Sequence, residues 1–449
     1  MTTPLRTSRL ASVVAIALVV TACGGSVASP TSAPSPTATG SSSLPAPTAA
    51  PSASPTRDEA WAIAIDTLIS ERERIHPNPY HGIDKATYRA AADDLAAQIP
   101  TLTDNQALAG ITRLAAMPGW KGRDGHSGIF PFLPDDGTHA YPLRFWRFSD
   151  GLVITTARAP YEDLIGARVT AVAGRPIDEV MALAEPMAPR DNPSNLLAYG
   201  PLYMRQSELL AGVGVIDQVG PAVFSVVDRD GTARDVTVEP IPAADDVVWT
   251  NALPLILPTR DAMWLHDRDE RIWWQFLEDS KTLYVQYNEV MATGSVPDEL
   301  LARVAQGGVD RVVVDLRNNG GGDNRRYFQL LAALEDPSID RPGRLIVLIG
   351  RLTFSAAGNF ATEVEQRTGA VFVGEDMGSS PNLYGDVRQT SLGPLGLDVY
   401  IASSYHQKSA ADDPRITIEP DIAVPYSSDD YFSDRDPTLD IALRAAVGP

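Results

Sequence analysis

The sequence predicts an α/β protein: a mixed βαβ core preceded by an N-terminal helical cap and a β-rich domain. Three observations carry this. Apolar residues recur at helical spacing from Asp58 to Met117, and short alternating segments fill residues 141–242. Beyond them, buried apolar runs such as Val312-Val313-Val314-Asp315-Leu316 and Leu345 to Ile349 alternate with stretches of helix length. Strands separated by helices in this way imply βαβ units and a partly parallel sheet.

The elements follow in order. With 449 residues the chain exceeds one ordinary core, so two or three domains are expected. Residues 1–22 carry a basic start, Arg6 and Arg9, and an apolar run from Leu10 to Val20 that is too short to span a bilayer. Val20-Thr21-Ala22-Cys23 follows, small residues leading into the only cysteine. This resembles a bacterial lipobox, which makes residues 1–22 a lipoprotein signal peptide and Cys23 the lipid attachment point. A lone cysteine excludes an intrachain disulfide framework. Residues 23–57, rich in Pro, Ser, Thr, Ala and Gly, cannot bury enough apolar surface to offset ordering entropy. They read as a disordered tether holding a lipid-anchored body at the extracytoplasmic face of the cell membrane.

Residues 58–135 form the helical cap and a histidine-bearing loop. Ala60, Ile63, Ile65, Leu68 and Ile69 make one helical stripe closed by Pro77 and Pro79, and Thr103 caps a helix over 104–116. The pattern then breaks into Asp124-Gly125-His126-Ser127-Gly128. Within 141–242, the run from Leu164 to Ile177 resembles the core strand, turn and following helix of a PDZ domain, and residues 190–215 look like an insertion in it. PDZ domains bind extended peptides by adding a strand to a sheet edge. Residues 260–449 form the α/β core.

Two sites in that core can carry chemistry. Ser355, in Thr353-Phe354-Ser355-Ala356-Ala357, falls where a strand ends and a helix begins, with free N–H groups and a positive dipole beside it. Serine also serves there as a plain N-cap. Asp315-Leu316-Arg317-Asn318-Asn319-Gly320-Gly321-Gly322 follows the neighbouring strand, and contiguous glycines let backbone N–H groups approach a ligand closely. Asp315 and Arg317 read as a salt bridge positioning that loop. The glycines are contiguous and no Gly-Lys-Ser/Thr follows, which excludes a Walker or dinucleotide site.

The glycine loop, the Thr-Phe-Ser-Ala-Ala turn and the PDZ-like run resemble, in order and spacing, the C-terminal-processing (tail-specific) serine peptidase superfamily. Glu375, the stretch Pro381 to Asp386 and the ending Ile418-Glu419-Pro420-Asp421-Ile422 are similar to its bacterial lipoprotein branch. The resemblance implies a core of the ClpP/crotonase kind, Ser355 as nucleophile, and Gly321 and Ala356 as oxyanion-hole amides. Many members use a lysine about two dozen residues after the serine. Here no lysine lies between Ser355 and Lys408. The tricorn-core and retinoid-binding-repeat branch instead carries a histidine in an Asp-Gly-His-Thr-like motif, matched by Asp124-Gly125-His126-Ser127.

An imidazole with a pKa of about 6.5 can accept the serine proton and return it to a leaving amine. His126 is therefore the expected base, with His406 the alternative; His76, His81, His139 and His266 read as surface or helix-end residues. Asp413, beside Asp412, is the acid that the resemblance implies for orienting His126. A net charge of −20 argues against nucleic acid as a partner. No metal-ligating motif is present and no cofactor is expected. The sequence points to a serine-type peptidase acting on polypeptides through a Ser-His-acid site. The alternatives are an esterase, or a non-catalytic lipoprotein binding an apolar molecule or peptide on the same fold.

Overall fold

The computed structural model describes residues 54–130, 137–245, 257–258 and 260–444. The expected signal peptide, Cys23 and nearly all of the expected tether lie outside the described residues. No helix among the described residues is long and apolar enough to cross a membrane.

Three helices open the chain: α1 (Arg57–Ile75), α2 (Lys85–Gln98) and α3 (Asp104–Ala116). Thr56 and Thr103 cap α1 and α3 with reciprocal capping boxes, so the first orphan N–H groups of both helices are satisfied. The buried face of α1 runs through Ala60, Trp61, Ala64, Ile65, Leu68 and Ile69. Ile63, expected on that stripe, is turned outward and exposed.

The β-rich domain is an antiparallel sheet of β1 (Leu143–Phe148), β2 (Gly151–Ala157), β3 (Arg168–Val172), β4 (Ala222–Val227) and β5 (Ala233–Val238), in that order. After β3 the chain turns into α4 (Ile177–Ala184), the strand-turn-helix of the PDZ-like run. The insertion is helical, α5 (Pro193–Tyr203) and α6 (Ser207–Gly212). Cap and β domain are not separate bodies. One continuous apolar cluster runs from Trp61 and Leu114 through Phe145 and Phe224 to Leu392 and Ile401.

The core sheet has the order β13-β10-β9-β8-β7-β6, comprising β6 (Ile272–Leu277), β7 (Thr282–Tyr287), β8 (Arg311–Asp315), β9 (Leu345–Ile349), β10 (Val371–Gly374) and β13 (Ile422–Ala423). All neighbours are parallel except the edge strand β6. Helices α7 (Val296–Ala305), α8 (Phe328–Leu334) and α9 (Ala356–Arg367) supply the crossovers. The strands read as unbroken apolar runs because both faces are covered: Val312 and Val314 face one cluster, Val313 the other. Between β10 and β13 rises a long hairpin, β11 (Asn382–Ser391) and β12 (Asp398–Gln407), whose turn end packs into the cap cluster through Leu392, Val399 and Ile401. The fold is mixed α/β with a PDZ-like β domain, as expected.

Candidate active site

Because β8 and β9 are adjacent and parallel, the loops leaving their carboxyl ends lie side by side. Thr353 ties them together: its Oγ1 donates to Leu316 O at 2.9 Å, and Phe354 N donates to Asn319 O at 3.0 Å. Beneath them, Arg317 holds Asp315 through Nε at 3.0 Å and Nη2 at 2.6 Å, and reaches Asp436 through Nη1 at 2.8 Å. The expected Asp315–Arg317 bridge is present. Asp436 is the third, half-buried member of the cluster.

Ser355 starts α9 with φ 57° and ψ −124°, a conformation that L-residues rarely adopt. Such a position costs on the order of 1–3 kcal/mol, so the surroundings must hold it. Ser355 N donates to Ser379 Oγ at 2.8 Å. The serine makes no capping bond to its own helix. Its Oγ instead lies 3.0 Å from His126 Nε2, a residue 229 positions earlier in the chain. The N-cap reading of Ser355 therefore fails, and the strained turn aims the hydroxyl away from the helix.

His126 reaches this position on a loop grafted onto the hairpin. Gly128 and Tyr400 exchange backbone bonds at 2.9 and 3.0 Å, Ala402 N donates to Ser127 Oγ at 2.9 Å, and Tyr384 N donates to Arg123 O at 2.8 Å. Ser127 is thus a strut for the loop. Phe354 stacks on the imidazole at 4.5 Å. Burial pushes the His126 pKa down to about 4, outweighing the pull of Asp124, Asp386 and the Tyr384 carbonyl toward the charged ring. A neutral ring whose Nε2 accepts the serine proton matches the geometry.

Two expectations need correction. Asp413 does not touch His126; Arg415 grips its carboxylate with Nε at 3.1 Å and Nη2 at 2.9 Å, and Ser409 Oγ donates to it as well. Those bonds hold Asp413 well below the usual carboxylate range. No carboxylate among the described residues hydrogen-bonds to His126 Nδ1. Gly321 is the second correction. Its N–H donates to Asn319 Oδ1 at 3.0 Å, so this amide is engaged within its own loop and does not face an open oxyanion position. The residue must nonetheless be glycine, since a Cβ there, at φ +113°, would meet Ser355 Cβ at 2.7 Å. Ala356, buried and first in α9, has no carbonyl one turn earlier within the helix for its N–H to use.

Other candidates fall away by their partners. His406 Nε2 pairs with Asp386 at 3.1 Å, and Lys408 Nζ pairs with Glu363 at 2.6 Å. His76, expected at a helix end, does follow α1 but is buried. Among the described residues, His76, His81 and Asp124 form the one group close enough to hold a metal, their donor atoms within 4.8 Å of one another. Their hydrogen bonds oppose it. Asn78 N–H donates to His76 Nδ1 at 3.0 Å, which leaves the ring proton of a neutral imidazole on Nε2, facing Asp124 Oδ2 at 3.3 Å. Arg72 Nη2 occupies that same carboxylate oxygen at 3.1 Å.

The architecture defines a class: a PDZ-like domain and a helical cap on a parallel α/β core, with a serine at the sheet's carboxyl edge. No family model and no curated protein sequence matches the chain. Among solved structures, it is similar to mature CPAF complexed with lactacystin at 13% identity and TM-score 0.56, over 86% of this chain and 97% of that one. A point mutant of CPAF matches at 12% identity and TM-score 0.58, over 87% and 99% of the two chains. At this identity the likeness shows a shared fold with the CPAF structures.

Proposed function

We propose that the chain is a serine-type peptidase that hydrolyses polypeptides through an acyl-enzyme. The observation that carries this reading is the 3.0 Å contact between Ser355 Oγ and His126 Nε2, made by a serine in a strained turn. In this account His126 takes the hydroxyl proton as Ser355 attacks the peptide carbonyl, and returns it to the departing amine. Water then attacks the acyl-enzyme with His126 again as base, restoring the serine. The Ala356 amide and the dipole of α9 stabilise the developing oxyanion. Gly321 N joins only if the Asn319 side chain swings away. No carboxylate is assigned to orient His126; the Phe354 stack and the hairpin do that work.

The CPAF structures support the reading through their fold, and the PDZ-like sheet offers an edge for an extended chain. A fluorophosphonate probe tests the nucleophile, because it phosphonylates only an activated serine hydroxyl. Cleavage of casein identifies a peptidase, and turnover of short nitrophenyl esters without casein cleavage would identify an esterase. We further propose that Cys23 carries a lipid that tethers the body to the extracytoplasmic membrane face, on the strength of Val20-Thr21-Ala22-Cys23. Incorporation of a clickable palmitate that Cys23→Ser abolishes would support it, and retained labelling would end it.

A further inference from the structure

Asp191, just before α5 in the insertion of the β domain, is fully buried. No cation among the described residues pairs with it. A carboxylate so placed must be matched by donors, or it would be too costly to bury. Oδ1 accepts the Gly125 N–H at 2.6 Å, and Oδ2 accepts the Ser380 N–H and the Ser379 hydroxyl, each at 3.2 Å. Gly125 is the residue before His126. Ser379 is the residue whose Oγ accepts the Ser355 N–H at 2.8 Å. One chain of hydrogen bonds therefore runs from the base loop through Asp191 and Ser379 to the backbone of the nucleophile. Asp191 is itself fixed from both sides: Arg123 N donates to its carbonyl at 2.8 Å, and Ser380 Oγ donates to it at 2.9 Å.

We propose that Asp191 is a positioning residue that sets the Ser355–His126 separation by clamping the two loops through Ser379. The proposal rests on the serine-hydrolase reading above. Its logic is geometric. Ser355 belongs to the α/β core and His126 to the cap, and the bonds from the hairpin steady only the histidine side. The Asp191–Ser379 relay spans both, and a misplacement of about 1 Å at a reacting pair costs on the order of 100-fold in rate. Asn195 Oδ1, which accepts Asp191 N at 3.3 Å, braces the segment locally, and the Asn192 amide, which donates to Met377 O at 2.9 Å and Ile416 O at 2.8 Å, anchors it to the core beside Ser379.

The test uses the purified full chain with Ser379→Ala, Asp191→Asn and the double variant. Ser379→Ala deletes only the relaying hydroxyl; Asp191→Asn sets an amide donor against a donor. The expected result is a maximal rate of fluorophosphonate labelling lower by about 10-fold or more in each, with probe affinity within about two-fold of wild type. The double variant should be no slower than Asp191→Asn, since both changes cut one link. Amide hydrogen exchange by mass spectrometry should quicken in the peptides holding Gly125 and Ser355 together. Unchanged labelling rates in Ser379→Ala, multiplied losses in the double variant, or quickened exchange in one loop alone would each overturn the clamp. If wild type itself takes no label, the hydrolase reading fails, and the exchange data still decide whether the clamp exists.

Discussion

The nucleophile turn and the base loop meet at 3.0 Å but are built in opposite ways. The turn around Ser355 is a product of the core: two parallel strands end together, Thr353 and Phe354 lock their loops, and an Asp315–Arg317–Asp436 cluster lies beneath. The His126 loop rests on a foundation outside the core sheet: Asp124, buried against Arg72 and His76 of the cap, accepts the Ser127 N–H at 2.9 Å. It sits on the cap side, borrows hydrogen bonds from the β11–β12 hairpin and is tied to the core through Asp191. The difference teaches that the site exists only where the cap docks on the core. Changes on the Ser355 side should act abruptly through sterics, and changes on the His126 side gradually through positioning.

The largest effect expected from that contrast is at Gly321. Gly321→Ala puts a Cβ 2.7 Å from Ser355 Cβ in a backbone conformation that alanine disfavours, and should lower kcat/KM by about 100-fold or more. A steady-state assay of the purified variant checks it. On the other side, Ser127→Ala removes the bond to Ala402 N. Its predicted cost is about 10-fold in kcat and about 1 kcal/mol of stability in denaturant unfolding.

The pH profile sharpens the same contrast. Burial holds the His126 pKa at about 4, so the neutral, proton-accepting ring persists well below the usual histidine range. The acid limb of kcat/KM set by His126 should fall near pH 4; a limb near neutrality that Asp191→Asn leaves in place would mean that the ring is solvated, since burial pushes Asp191 itself up to about 7. The smallest effect belongs to Asp413→Asn. With its carboxylate held by Arg415 and Ser409, activity should stay within about three-fold of wild type, whereas removal of a triad acid typically costs about 10⁴.

The same asymmetry governs what could be read from the sequence. The core strands, the glycine loop and Ser355 are legible because apolar runs and strand-to-helix punctuation are local signals. His126 was reachable only through its Asp-Gly-His motif, since nothing in spacing links residues 229 apart. The hairpin is not among the elements expected from the sequence, although Gly393-Pro394-Leu395-Gly396 marks its turn. Asp191 and Ser379 gave no local signal, being an ordinary Asp and Ser until the fold brings them together. Asp413 misled for the opposite reason: its position in the chain fits the expected acid, but the adjacent Arg415 claims its charge.

The central claim is that Ser355 is a nucleophile activated by His126. The direct measurement is fluorophosphonate labelling of wild type, Ser355→Ala and His126→Gln at pH 7, with labelled peptides mapped by mass spectrometry. The account predicts a single label on Ser355 in wild type, none in Ser355→Ala, and a rate lower by about 10³-fold or more in His126→Gln. Label that persists in Ser355→Ala, or that forms at the wild-type rate in His126→Gln, would contradict it.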